Sequence, residues 1–335
     1  MERFRIAAFL LLGMSIAYPL AAQSRPAPAT AAPCSNAPQN VNQLALFRWY
    51  SANTVTHFST GGAPNGITFD GANLWVVGAP ANQVTKLRAN DGAVLGKFPV
   101  GYIPGYAAYD GANLWVTNLG DNTVTKLRAS DGATLGTFPT GVLPWGIAFD
   151  GSHIWVGNIL DGTVSKIRPA DGATIGVFPA GPDPIALAFD GSNIWITNQG
   201  GANTVTRLRA RDGAYQGAFP VGNNPVGVTF DGSSVWVTNS NDNTVSRLRA
   251  SDGISLGTFP VGADPQFIAF DGASMWVTNE GSNNVTKLRN CDGAVLGTFP
   301  VGIGPIGIAF DGVNIWVNVA APGVFRAESV PLETL

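Results

Sequence analysis

A unit of about forty residues recurs seven times along the chain and constrains its fold more than any other feature. A well-preserved form is PWGIAFDGSHIWVGN, residues 144–158. Each unit carries an Asp-Gly pair and a Trp four residues after the Gly. The Asp residues are Asp70, Asp110, Asp150, Asp190, Asp231, Asp271 and Asp311, and the Trp residues are Trp75, Trp115, Trp155, Trp195, Trp236, Trp276 and Trp316. Such a period indicates a repeat protein, in which neighbouring units bury each other's apolar residues.

One unit predicts four short strands. Apolar and small residues alternate in short runs, and the Asp-Gly pairs between them are typical of tight hairpin turns. For the unit that begins at Pro144, the predicted strands are residues 146–149, 154–156, 163–168 and 174–178, with turns at 150–151 and 171–172. We therefore expect an all-β, seven-bladed β-propeller of four-stranded antiparallel blades. The seven Asp would shape turns, and the seven Trp would pack between blades.

The ring is expected to close by pairing strands from the N-terminus with the C-terminal blade. Residues 42–61 align without gaps to residues 122–141, which form the second half of a repeat. Residues 323–327 also resemble a third strand, so two segments compete for one place. We favour two strands from each end, with three plus one as the alternative.

The N-terminal residues predict that the protein is exported. Residues 1–22 have a positive start at Arg3 and Arg5, an apolar run over 6–17 and small residues at 20–22, as in a cleaved signal peptide. A membrane anchor is the alternative, but the run is short and Pro19 stops it. We expect a disordered Pro/Ala-rich leader over 23–41, the propeller over 42–327 and a tail over 328–335. The mature protein would be a secreted or periplasmic monomer without a membrane span.

Composition narrows the possible partners. Charged residues make up 12% of the chain, and the formal net charge is −3. Without a broad basic field, nucleic acid is not expected as a partner. The third strands do carry regular Lys and Arg pairs, such as Lys86 with Arg88. These could bind an acidic polymer, but pairing with nearby Asp is the favoured interpretation.

The segment at 108–141, with W-V-T-N at 115–118, resembles the YVTN-type β-propeller repeat. The resemblance covers about residues 42–327. It implies an exported or surface propeller of bacteria or archaea, often without known activity. Streptogramin lyases are similar in repeat length and use a histidine with a magnesium site. The two histidines here, His57 and His153, are expected in different blades, so that site is not carried over.

The sequence predicts no catalytic centre, cofactor or metal site. It lacks a Gly-x-Ser-x-Gly elbow, a phosphate loop, a dinucleotide motif and cysteines with zinc spacing. Most acidic residues are explained by the Asp-Gly turns.

Departures from the repeat point to the face opposite the Asp-Gly turns. There, after the Pro that opens each unit, most repeats have small or aliphatic residues, whereas this chain has Trp145, Tyr106, Phe267 and Gln266. We interpret these four as candidate ligand contacts, and packing against a neighbouring loop is the alternative. Asp183, Asp264 and Glu280 would add negative charge to the same rim. An Asn set on this face would cap loops: Asn118, Asn158, Asn198, Asn239, Asn279 and Asn318.

The function predicted from these residues is a binding scaffold. Its loop-rich face, around the central channel, would bind a protein, a saccharide or a small molecule. The alternative is a metal-dependent lyase- or lactonase-like enzyme with its site at the same mouth.

The two cysteines generate a first testable prediction. Cys34 lies in the leader and Cys291 just before a repeat turn, and in an exported chain the two could form one disulfide, with two free thiols as the alternative. We expect non-reducing peptide mapping of the secreted protein to recover the two cysteine peptides as one cross-linked species. Alkylation of both thiols without prior reduction would contradict the pairing.

Overall fold

The structure is a computed structural model that describes residues 56–58, 60, 64–320 and 323–328. The predicted signal peptide, the leader and nearly all of the tail lie outside these residues. Cys34 does as well, so the Cys34–Cys291 disulfide stays a prediction. The only helix of the described part is one 3₁₀ turn, Ala79–Ala81. None of the described residues form a helix long and apolar enough to span a bilayer.

The described residues form seven four-stranded antiparallel sheets, as the repeat predicts. The strands, blade by blade, are β1 (Thr56–Phe58); β2 (Pro64–Phe69), β3 (Asn73–Gly78), β4 (Gln83–Arg88) and β5 (Val94–Pro99); β6 (Pro104–Tyr109), β7 (Asn113–Asn118), β8 (Thr123–Arg128) and β9 (Thr134–Pro139); β10 (Pro144–Phe149), β11 (Ile154–Asn158), β12 (Thr163–Ile167) and β13 (Thr174–Pro179); β14 (Pro184–Phe189), β15 (Asn193–Asn198), β16 (Thr204–Arg209) and β17 (Tyr215–Pro220); β18 (Pro225–Phe230), β19 (Ser234–Asn239), β20 (Thr244–Arg249) and β21 (Ser255–Pro260); β22 (Pro265–Phe270), β23 (Ser274–Asn279), β24 (Asn284–Arg289) and β25 (Val295–Pro300); β26 (Pro305–Phe310), β27 (Asn314–Val319) and β28 (Gly323–Glu328).

The closing blade differs from the favoured prediction. Its strand order is β1-β28-β27-β26, so the C-terminus supplies three strands and the N-terminus one. Two strands from each end was therefore wrong, and the three-plus-one alternative is confirmed. The reason is that β28 pairs with β27 over six residues, from Asn314 with Glu328 to Val319 with Gly323. This fills the third place and leaves only the outermost place for β1.

Each Asp-Gly turn between the first and second strands is tied to its Trp. In the first blade, Asp70 Oδ1 accepts hydrogen bonds from the backbone amides of Ala72 and Asn73 at 2.9 and 2.6 Å. Its Oδ2 accepts one from Trp75 Nε1 at 2.8 Å. The same Trp–Asp bond forms in all seven blades, at 2.7–2.8 Å. Each of these Asp residues thus has two roles. It shapes the turn, and it accepts the hydrogen bond of a buried indole N–H group.

The Trp rings fill the space between blades, as predicted. They are at most 3% exposed, and burial of each ring contributes at most about 6 kcal/mol. A Phe of the fourth strand, or of β1 in the closing blade, lies with its centroid 5.4–5.6 Å from the Trp ring of its own blade. A third-strand cation covers each Trp at 4.6–5.7 Å. The buried apolar residues form seven hydrophobic clusters, one at each interface between neighbouring blades.

A glycine in the second Asp-Gly turn lets each of the first six blades receive the Phe of the blade before it. Gly132 has φ +77°, and a Cβ there would lie inside the ring of Phe98. Gly111, in the first turn of the same blade, also has positive φ (+96°), but a Cβ there would meet nothing within 4 Å. Substitution of Gly111 therefore tests backbone strain alone, whereas substitution of Gly132 tests backbone strain together with the steric overlap with Phe98.

We expect Gly132→Ala to destabilise the protein more than Gly111→Ala. Both should lose about 1 kcal/mol of unfolding free energy from positive φ, and Gly132→Ala about 1–3 kcal/mol more from overpacking against Phe98. Denaturant unfolding followed by tryptophan fluorescence measures both. Equal losses would show that Phe98 moves aside without cost.

Candidate ligand site at the channel mouth

All seven first strands carry an irregularity at the same place. The register shifts between the opening Pro and the third residue after it, for example between Pro104 and Ala107. Two residues therefore stand unpaired at the top of each first strand. Such bulges re-aim side chains. All four predicted contacts come from these positions: Tyr106, Trp145, Gln266 and Phe267.

The Thr of the W-V-T-N motif fixes these bulges to the neighbouring blade. Thr117 Oγ1 accepts the amide hydrogen of Tyr106 at 3.0 Å and donates to the carbonyl of Trp145, in the next blade, at 2.8 Å. Thr278 accepts from the amide of Phe267 at 3.0 Å and donates to the carbonyl of Ile306 at 2.7 Å. The backbones under the aromatic residues are thus held by buried hydrogen bonds.

Three aromatic rings meet across the channel. Tyr106 of the second blade lies 4.8 Å, centroid to centroid, from Phe267 of the sixth blade, on the opposite side of the ring. Trp145 of the third blade lies 5.5 Å from Tyr106. We call these three residues the aromatic trio. Equivalent positions in the other blades hold smaller residues, so the trio occupies space that a regular repeat would leave open.

A cavity of about 220 Å³ lies along the channel against Tyr106 and Phe267. Its other walls are aliphatic or glycine: Ile67, Ala107, Gly146, Ile147, Ala186, Leu187, Val228, Gly307 and Ile308. This volume is below the ~300–1,000 Å³ of sites that enclose drug-sized ligands. A ligand of that size would therefore lie on the outer side of the trio.

Two carboxyl groups adjoin the trio. The Glu280 amide donates to the carbonyl of Asp264 at 2.9 Å, and Asp264 Oδ1 accepts from Gln266 Nε2 at 2.8 Å. Burial, followed by the charge of Asp264, raises the pKa of Glu280. Burial, followed by the charge of Glu280, raises the pKa of Tyr106. We call Asp264 and Glu280 the acidic pair.

The face around the mouth has no described basic side chain. We call it the loop face, formed by the Gly-x-x-Pro crossings between blades and the loops after the second strands. The Lys and Arg of the described residues lie in the third strands or in the turns that follow them, except Lys97 in β5. No carboxylate of the acidic pair takes part in a salt bridge among these residues. The loop face therefore carries uncompensated negative charge.

One half of the loop face is apolar. In the crossings into the second and third blades, the residues before Pro are Tyr102 and Ile103, then Val142 and Leu143. Tyr102 is 57% exposed, and Leu160, in a nearby loop, is 66% exposed. The crossings into the fourth, fifth and sixth blades carry Asp183, Asn224 and Asp264 instead.

Ile103 and Leu143 also adopt an unfavourable backbone. Both have positive φ, at 51° and 54°, where blades four to six have Asp or Asn. Asp and Asn tolerate this region, whereas other side chains with a Cβ, such as Leu and especially β-branched Ile, are strained there by about 1–2 kcal/mol. The chain thus keeps apolar side chains on this half of the face at a cost in stability.

The Asn set and the third-strand cations have structural roles. Asn118 is fully buried; its Nδ2 donates to Thr123 and Thr125, and its Oδ1 accepts from Gly101. The first cation of each pair is turned inward: Lys86 Nζ donates to the carbonyl of Ala129, in the next blade, at 2.6 Å. The second pairs on the surface with an Asp three residues later: Arg88–Asp91, Arg128–Asp131, Arg168–Asp171, Arg209–Asp212, Arg249–Asp252 and Arg289–Asp292.

The histidines lie in different blades. The backbone of His57 belongs to β1, whereas His153 lies at a first Asp-Gly turn, on the face opposite the trio. Its Nδ1 is 3.7 Å from Asp150 Oδ2. Within the described residues, no group of three or more His, Cys, Asp or Glu side chains could hold a metal ion.

Some of the site was not predicted. Thr117 and Thr278 were overlooked, although their signal was visible: Thr recurs in W-V-T-N at most blades. The apolar half of the face was overlooked too, and its signal was Ile or Leu at a crossing position that elsewhere is Ala, Asp, Asn or Gly. The Asp183, Asp264 and Glu280 rim was expected, but the pairing of Glu280 with Asp264 depends on the register of two loops.

Comparison with solved structures supports the fold. The chain is similar to Kuenenia stuttgartiensis hydrazine synthase, with TM-score 0.73, 18% identity, and 82% of this chain and 98% of that chain covered. It is also similar to a catalytically inactive virginiamycin B lyase from Staphylococcus aureus, with quinupristin, with TM-score 0.72, 21% identity, and 83% and 99% covered. A streptogramin B lyase matches with TM-score 0.71, 20% identity, and 81% and 96% covered.

These likenesses show a shared propeller fold. No protein family and no curated protein matches the chain in sequence. Membership of the YVTN-type repeat family is therefore not confirmed.

We expect Glu280→Gln to raise the melting temperature at pH 7. Because folding raises the pKa of Glu280, its ionisation opposes folding above the folded pKa, and this penalty is absent below the unfolded value of about 4.3. The gain should therefore vanish on acidification below that value. Melting curves over pH 3–8 measure it, and a gain that is independent of pH would contradict the assignment.

Asp242→Asn is the control of opposite sign. Hydrogen bonds from the Asn223 amide and side chain, each 2.7 Å, lower the pKa of Asp242. A lowered folded pKa gives stability above the unfolded value of about 3.9 that is lost as the pH falls. This variant should therefore melt lower than wild type at pH 7, and the difference should shrink in acid.

Proposed function

We propose that this protein is a binding scaffold that captures its ligand on the loop face, over the aromatic trio. The observation that carries the proposal is the meeting of Tyr106, Trp145 and Phe267 from three blades at the channel axis. Aromatic clusters beside a cavity provide much contact area with little loss of side-chain entropy.

Structural need alone does not account for the trio. The position of Tyr106 and Phe267 is Gly66, Gly146, Ala186, Gly227 or Gly307 in the other blades. Those blades keep the same bulge and the same four strands with small residues there. The fold is therefore already stable without the contacts between these rings. The three residues of the trio also come from three different blades and are three different residue types.

The enzyme alternative shares this location. Some solved structures with a similar fold are lyases. At sequence identities of 18–21%, however, the similarity shows a shared fold and does not extend to activity. A lyase- or lactonase-like site that uses a metal would need further ligands beside the acidic pair. The aromatic trio supports binding without specifying bond cleavage.

The proposal is tested by labelling the tryptophans with 5-fluorotryptophan and recording ¹⁹F spectra. Trp145→Ile identifies the resonance of Trp145, and Ile is the residue at the equivalent positions 185 and 306. In a screen of saccharides, short peptides, small metabolites and divalent metals, we expect an organic ligand to shift the Trp145 resonance and leave those of the seven blade Trp in place. The same ligand should raise the melting temperature by mass action.

Matched variants separate binding from general damage. Trp145→Ile should abolish the thermal shift, whereas Ile303→Ala, which truncates a residue 69% exposed on the same face, should preserve it. A ligand that stabilises both variants equally would overturn the proposed location. A metal-dependent shift that chelation reverses would favour the enzyme instead.

A further inference from the structure

The loop face combines two chemistries that meet at the trio. Tyr106 belongs to the second blade, whose crossing carries Tyr102 and Ile103, and its ring contacts Phe267 of the sixth blade, whose crossing carries Asp264. The rings therefore bridge the apolar half of the face and the acidic pair. A ligand seated on the trio would touch both.

The acidic pair is suited to a cation because nothing described on the loop face neutralises it. The two carboxyl groups lie in adjoining loops, and the Glu280 backbone is bonded to Asp264. Both residues lie next to the trio along the chain: Asp264 accepts from Gln266, the neighbour of Phe267, and Glu280 follows two residues after Thr278, which accepts the Phe267 amide. A positive group here would gain attraction from the carboxylates and from the faces of neighbouring rings.

Three other acidic groups of this face are already used by the fold. Asp121, Asp161 and Asp242 each accept a backbone amide from the adjoining crossing: those of Tyr102, Val142 and Asn223, at 2.6–2.7 Å. The carboxylate of Glu280 has no hydrogen bond of this kind among the described residues. Within the acidic pair, Glu280 is therefore the side chain with more to gain from a bound cation, because Asp264 already accepts from Gln266.

From these observations we propose that the ligand is an amphiphilic organic cation, with an apolar body and one ammonium or guanidinium group. This rests on the proposed function and specifies its ligand class. The apolar body lies on Trp145 and Tyr106 and extends over Ile103 and Leu143. The positive group lies beside Phe267, against Asp264 and Glu280.

The test uses a matched pair of probes, acetyl-Phe-Phe-Arg amide and acetyl-Phe-Phe-citrulline amide. They have nearly the same shape, but only the first carries a guanidinium charge. In calorimetric titration of the mature protein at low ionic strength, we expect the Arg peptide to bind about tenfold more tightly or better. Because screening weakens charge interactions, the preference should fall in 0.5 M NaCl.

Variants taken from the protein's own repeats assign the charge. Asp264→Asn and Glu280→Gln introduce the residues that the fifth and fourth blades already hold at these places, Asn224 and Gln199. We expect the double variant to bind both peptides alike. Asp183→Asn, the same crossing position as Asp264 but two blades away, is the control and should retain the preference.

The outcomes separate this inference from the proposed function. Equal binding of the two peptides, abolished by Trp145→Ile, would overturn the cation preference and leave the binding site standing. A preference that persists in the double variant would overturn the assignment to the acidic pair. If neither peptide shifts the fluorotryptophan resonance of Trp145 while a neutral compound does, the ligand class is wrong and the proposed function survives.

Discussion

The structure depends on a buried tryptophan whose polar atom is satisfied inside its own blade. Trp75 shows the arrangement: its Nε1 donates to Asp70, a Phe lies on the ring, and Lys86 covers it while bonding the next blade. An indole can be buried this deeply only if its N–H has a partner. One Asp thus serves the turn, the indole and, through the ring, the interface between blades. Since every blade repeats this, stability belongs to the ring and not to the unit.

Much of the fold was predictable because the repeat ties each residue type to one role. Asp-Gly requires a turn, and a recurring Trp requires a neighbour to cover it, so seven blades followed from the spacing. Closure was less predictable, since residues 42–61 and 323–327 both match a strand and only pairing energies choose between them. The trio was identified as three unusual residues, but its contact across the ring depends on side-chain length against channel width. The width of the channel cannot be calculated from the pattern of strands in the sequence.

The two faces of the disc differ because the repeat distributes charge unevenly. Third strands place their cations towards the Asp-Gly turns, where carboxylates and carbonyls take them up, as with Arg88 and Asp91. The loop face receives acidic groups and no described cation. The molecule is therefore polarised along its axis, although its net charge is small.

Within the loop face, the crossings vary from blade to blade, and they give one half apolar side chains and the other half carboxylates. The regular repeat fixes the framework, and the departures from it give the loop face its varied chemistry.

The closing blade joins the two ends of the chain. Strand β1 pairs with β28 through Thr56 with Arg326, His57 with Phe325 and Phe58 with Val324. During synthesis the first of these segments leaves the ribosome well before the second exists. The ring consequently cannot close before β28 has been synthesised, and β1 has no partner strand until then. Closure therefore depends on a pairing between strands more than 260 residues apart, and loop-closure entropy makes contacts of such long sequence separation slow to form.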